Sequence, residues 1–140
     1  VNADEMARER GLDVRTVSSS TATDYLNTIT LRSGHLALSG TLAGLSAEQR
    51  IVMIDDHPVD VPPSDHMLVV RNDDRPGMIG LVGTVVGDAG VNVANMTVGH
   101  DAGAATAVMV LTTDQAVGAD VVASLAEQEG IISVHGIGLT

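Results

Sequence analysis

Asn72, Asp74 and Asn92 flank a Pro-Gly turn. Asn72 and Asp74 close one predicted strand and Asn92 opens the next, so the three are expected to converge at one end of a sheet. Pro76 suits the first turn of the helix that follows. The free N–H groups of that turn, at Gly77, Met78 and Ile79, make a positive seat for a carboxylate. A free amino acid also needs acceptors for its ammonium group, and Asp74 with the amide oxygens of Asn72 and Asn92 supplies them. The set is complementary to a zwitterion. The same residues have a plainer use, in which Asp74 caps the helix and the asparagines satisfy turns.

Other chemistry finds less equipment. Gly80, Gly83, Gly87 and Gly90 form no GxGxxG and fall inside a helical stripe, where the spacing of Gly83 and Gly87 predicts a flat face for close helix packing. Asp55, Asp56, His57, Asp65 and His66 lie around a proline-rich turn without metal-ligand spacing, and no metal site is expected. No serine occupies a nucleophile elbow, and no carboxylate pair sits in an apolar pattern suited to acid–base work. No catalytic residue is assigned.

The elements that position these residues follow from pattern. Residues 2–11 carry acids early, arginines late and a closing glycine, as a short helix would. Asp13–Val17, Asp24–Leu31, His35–Leu42 and Arg50–Ile54 are short β-rich runs that predict an antiparallel meander. Pro62 and Pro63 interrupt any ladder and set the expected boundary between a first domain, 1–63, and a second, 64–140. In the second, Met67–Arg71 reads as a strand. Met78, Ile79, Leu81, Val82, Val85, Val86 and Ala89 then form a helical stripe ended by Gly90. Val91–Val98 and Ala104–Thr113 are strands joined across His100-Asp101-Ala102-Gly103. Val121, Val122, Leu125 and Ala126 mark a second helix, and the last strand runs from Ile131 to about Leu139. The order βαββαβ gives a ferredoxin-like α+β domain with both helices on one sheet face. The other face, expected to carry Val70, Val108 and Val110, has no cover within the chain by this reading and should meet another copy or domain.

Composition narrows the partners. The 140 residues carry a formal charge of -11, seven arginines and no lysine, which excludes the clustered basic surface that nucleic acid requires. Tyr25 is the only aromatic residue, so base-stacking platforms are missing and the core must be aliphatic. No apolar run approaches the roughly 20 residues that span a bilayer, and a soluble cytoplasmic protein is expected, with no membrane partner. Zero cysteines exclude disulfides and thiolate chemistry. The first residue is Val1 rather than methionine, as in a fragment of something longer.

The run from Met67 through Asn72-Asp73-Asp74-Arg75-Pro76-Gly77 to Gly80, followed by Gly83-Thr84 and Gly90-Val91-Asn92-Val93-Ala94, resembles the ACT domain that ends bacterial D-3-phosphoglycerate dehydrogenases. Upstream, Val1-Asn2-Ala3, Arg10-Gly11-Leu12, Gly40-Thr41-Leu42 and Arg50–Asp55 resemble the later part of the intervening domain of that enzyme's long form. The resemblance implies L-serine as an effector, bound where two subunits meet, with contacts on Asn72, Asp74 and Asn92. Asn72 departs from the histidine or tyrosine often found there. It also implies a possible anion site in the intervening domain at Arg50 and His57, although Pro58, Pro62 and Thr112 stand where some members carry further basic residues.

By the same resemblance the parent is an NAD-dependent oxidoreductase of serine biosynthesis. Its catalytic and NAD-binding domains would lie outside this chain, which would hold no cofactor and be inactive alone. Its partners would be L-serine, the catalytic domains of the same polypeptide and other ACT domains. Two alternatives stay open: the regulatory part of an iron–sulfur L-serine dehydratase, and a pairing module that binds nothing.

Overall fold

The computed structural model describes residues 2–18, 25, 27–34, 36–100, 103 and 105–138. Of the predicted features, Asp24, Leu26, His35, Asp101, Ala102, Ala104 and Leu139 lie outside these residues. A short helix α1 (Ala3–Glu9) precedes strands β1 (Thr28–Ser33), β2 (Leu36–Ala43), β3 (Glu48–Ile54) and β4 (His57–Val61). Then come β5 (His66–Asp73), α2 (Met78–Asp88), β6 (Val93–His100), β7 (Thr106–Thr113), α3 (Ala119–Ala126) and β8 (Ile131–Gly138). The strands form two antiparallel sheets ordered β1-β2-β3-β4 and β6-β7-β5-β8. The first is the expected meander. The second, with its two helices, is the expected ferredoxin-like unit.

The meander differs from its prediction at both ends. Asp13–Val17, β-branched in part, forms no strand. His57–Val61, which the prolines had concealed, does. Pro58 is tolerated because β4 is an edge strand, where one side of the ladder is free. Asp55 and Asp56, with φ values of 48° and 65°, make the two-residue hairpin loop that turns β3 into β4. The Asp55 carboxylate accepts from the backbone N–H of Ala37 at 2.8 Å and fixes the loop against β2.

In the second sheet Leu68, Val70, Met109 and Leu111 pack beneath Met78, Val82 and Val86 of α2 and Leu125 of α3 in one apolar core. The opposite sheet face is not bare. Val108 and Val110 join Met67 in a second core with Ile54, Val59 and Val61 of the meander, so strands upstream of the prolines cover it. Val70 faces the helices instead, because it shares strand parity with Leu68. The sheets meet tightly at Gly99, where a Cβ would collide with the carbonyl oxygen of Pro58 and lie 2.9 Å from Cγ1 of Val59. Gly80, Gly83 and Gly87 do not serve close packing within this chain: nothing lies within 4 Å of where their Cβ atoms would be. No helix among the described residues is long and apolar enough to cross a membrane.

Candidate functional site

The chain leaves β5 at Asp73 and enters α2 at Met78, and the loop between is held from both sides. The N–H of Asp73 donates to Gly130 O at 2.8 Å and that of Asp74 to Ala105 O at 3.0 Å. Arg75 donates to the carbonyl and to the carboxylate of Glu129, at 2.9 and 3.1 Å, and its guanidinium fills the space where a Cβ at Gly130 would sit. Gly77 is the N-cap of α2, with φ 94°, and no side chain caps the helix. Asp74 therefore does not take the capping role that was its plainer use. The first N–H to bond back within the helix is that of Leu81, to Gly77 O at 2.9 Å. The helix N-terminus at Met78 and Ile79 thus keeps unsatisfied donors and the positive end of the macrodipole.

Asn72 stands beneath this loop on the helix-facing side of β5 and is only 2% exposed. Its Nδ2 donates to Asp73 O at 2.6 Å, whereas its Oδ1 is buried without a partner. An unmet buried carbonyl of this kind costs about 1–3 kcal/mol. Register places Asn72 opposite Ala107 of β7, and Ala107 opposite His100 of β6. Residues directly opposite share a sheet face. Asn72, Ala107 and His100 therefore form a row across three strands, with a methyl group in its middle. From the loop above, the Asp74 carboxylate accepts from His100 Nδ1 at 3.0 Å, both side chains being about half exposed.

Asn92 does not join them within one chain. It lies just ahead of β6, with its N–H donating to Asp114 Oδ1 at 3.1 Å and its carbonyl accepting from Asp114 N at 3.2 Å. Asp114 is seven residues along from the Ala107 that faces Asn72, a separation of about 23 Å at the usual strand rise. The expected convergence fails because β5 and β6, both antiparallel to β7, run parallel to each other. The end of one strand and the start of the other then lie at opposite ends of the sheet. His100, at the far end of β6, takes the place beside Asp74 that had been given to Asn92.

The paired candidates Arg50 and His57 do not form one site either. His57 is 3% exposed and fully engaged. Its Nδ1–H donates to Asp55 O at 2.8 Å, and Nε2 lies 3.2 Å from both the hydroxyl and the carbonyl of Thr106. It is a strut between the two sheets. Arg50 lies four residues back along β3 from Ile54, the partner of His57. Its Nε donates to Asp60 at 2.7 Å, and this bond, reinforced by Glu48, raises the guanidinium further above its ordinary range. Arg50 lines a shallow depression of about 270 Å³ whose rim includes Glu48 and Asp60. An anion arriving there meets two carboxylates. Among the described residues no group of three or more metal-ligating side chains is close enough to hold an ion.

Residues 66–130 match the family model of the ACT domain. They form an ACT domain. Beyond that domain, the similarity to known proteins extends over the meander as well. The chain is 31% identical to a D-3-phosphoglycerate dehydrogenase of Synechocystis over 99% of its length, and 32% identical to that of Bacillus subtilis over 99%. The enzyme of Methanocaldococcus jannaschii is 33% identical over the same share. The matched stretch is only 26–27% of these relatives and corresponds to their C-terminal part. The ACT domain therefore carries both the uncapped helix and the buried Asn72 oxygen, and the meander is matched together with it.

Proposed function

We propose that this chain is the regulatory part of a D-3-phosphoglycerate dehydrogenase and senses L-serine. The observation that carries the reading is the end of β5, where the unpartnered Asn72 oxygen, the Asp74 carboxylate and the uncapped start of α2 stand together. Helix amides at Gly77, Met78 and Ile79 receive the carboxylate of the amino acid. Asp74 and the Asn72 oxygen receive its ammonium. Asn92 enters from the partner subunit, since within one chain it lies at the other end of the sheet. The exposed Ile79 and the open glycine face of α2 supply room for that second copy.

In the parent enzyme the remaining three quarters of the polypeptide would carry NAD and oxidise 3-phosphoglycerate in the cytoplasm. The division at 63–64 separates the intervening-domain portion from the ACT unit. Serine bound across two ACT domains would favour a less active arrangement, and a coupling of about 1–3 kcal/mol suffices for substantial inhibition. Calorimetric titration with L-serine should show saturable binding by the wild type and none by Asp74→Ala. Melting curves recorded with each of the twenty amino acids should rise most with serine. Absence of heat at millimolar serine together with a flat set of melting temperatures would remove the sensing role. What would remain is a pairing module without a ligand.

A further inference from the structure

We propose that His100 is a specificity-determining residue of the amino-acid site, holding the Asp74 carboxylate while the site is empty and giving it up to the ammonium group of the ligand. The inference rests on the amino-acid reading of the site. Its own support is geometric. The ring nitrogen Nδ1 lies 3.0 Å from Asp74 Oδ2, where an ammonium donor would stand. Strand register sets His100 level with Asn72 on the same sheet face, with only Ala107 between them. Two strand spacings, about 9.6 Å, separate their backbones. Asn72 and Ala107 are themselves buried, so the part of the row open to a ligand is the half-exposed pair of His100 and Asp74. A ligand whose ammonium cannot displace the imidazole is rejected.

The competition is between the imidazole N–H and the ligand ammonium for one carboxylate, and charge-assisted hydrogen bonds to a carboxylate are the stronger kind. Other charged groups near the ring are few. β6 and β7 contain no other titratable residue. On the loop, Arg75 is committed to Glu129, and Asp73 adds a second carboxylate. His57 of β4 is bonded to Thr106, and α2 carries only Asp88, at its far end. Asp101, next in sequence, lies outside the described residues. His100 is therefore the side chain that the ligand ammonium must displace from Asp74, so removal of the ring should raise affinity.

The test is calorimetric titration of L-serine into the wild type, His100→Ala and His100→Gln. His100→Ala should bind several-fold more tightly than the wild type, because nothing then holds Asp74 in the empty site. His100→Gln, which keeps a donor for the carboxylate, should fall between the two. Variants that bind more weakly than the wild type would mean that His100 holds the ligand carboxylate or supports the fold, and variants that bind equally would mean that it takes no part. Either result overturns the proposal and leaves amino-acid sensing intact. No binding by any of the three proteins overturns both.

Discussion

Two polar side chains are buried almost equally in this molecule, His57 at 3% exposure and Asn72 at 2%, and they have opposite accounts to give. Both nitrogens of His57 are occupied by backbone and hydroxyl groups of two different sheets. Asn72 uses its amide donors on the next carbonyl and leaves its oxygen unmet. Burial is thus shared by a strut and by a candidate ligand contact. What separates them is unused hydrogen-bonding capacity, because a satisfied group has nothing left to offer a ligand while an unsatisfied one gains by binding. The same contrast divides Arg50, neutralised by Asp60, from the open start of α2.

The contrast can be broken by mutation. His57→Ala should give the largest effect on folding, a loss of about 1–3 kcal/mol in urea unfolding from the unpaired partners it leaves, with L-serine affinity unchanged. A loss of affinity without loss of stability would make His57 a ligand contact and erase the distinction. Asn72→Val should behave inversely. Removing an unmet oxygen offsets the lost bond to Asp73 O, so stability should stay within about 1 kcal/mol of the wild type, while the serine-dependent rise in melting temperature disappears. Arg50→Ala should do least. Neither the melting temperature nor its response to inorganic phosphate should move measurably, since exposed ion pairs contribute little; a phosphate response present in the wild type and absent in the variant would reinstate an anion site there.

How far the sequence could be read depended on which physical signal each segment carried. The stripe from Met78 to Val86 and the order βαββαβ were legible because periodicity and glycine stops agree with the tertiary packing. β4 was not, because prolines read as breakers unless a strand is known to be at an edge, and edges are set by topology. Val70 was misplaced because Met67–Val70 is apolar at every position, as a strand covered on both faces must be, so alternation gives no parity. The misplacing of Asn92 is more instructive. A helix that joins two strands of one sheet makes them parallel, and that alone puts the end of the first and the start of the second at opposite rims. The rule needed no coordinates, and it also points to His100. The unmet oxygen of Asn72, in contrast, has no trace in sequence, because it depends on what fails to approach.

Gly99 precedes His100 in β6 and lies hard against Pro58 and Val59, with no slack between the strands. The end of β6 therefore belongs to two neighbourhoods at once: His100 faces the loop at Asp74, and Gly99 abuts the meander. With a hydrogen atom as the whole clearance, the backbone at Gly99 cannot shift toward β4 without moving it, so the anchor of the half-exposed imidazole is fixed while the ring itself can swing.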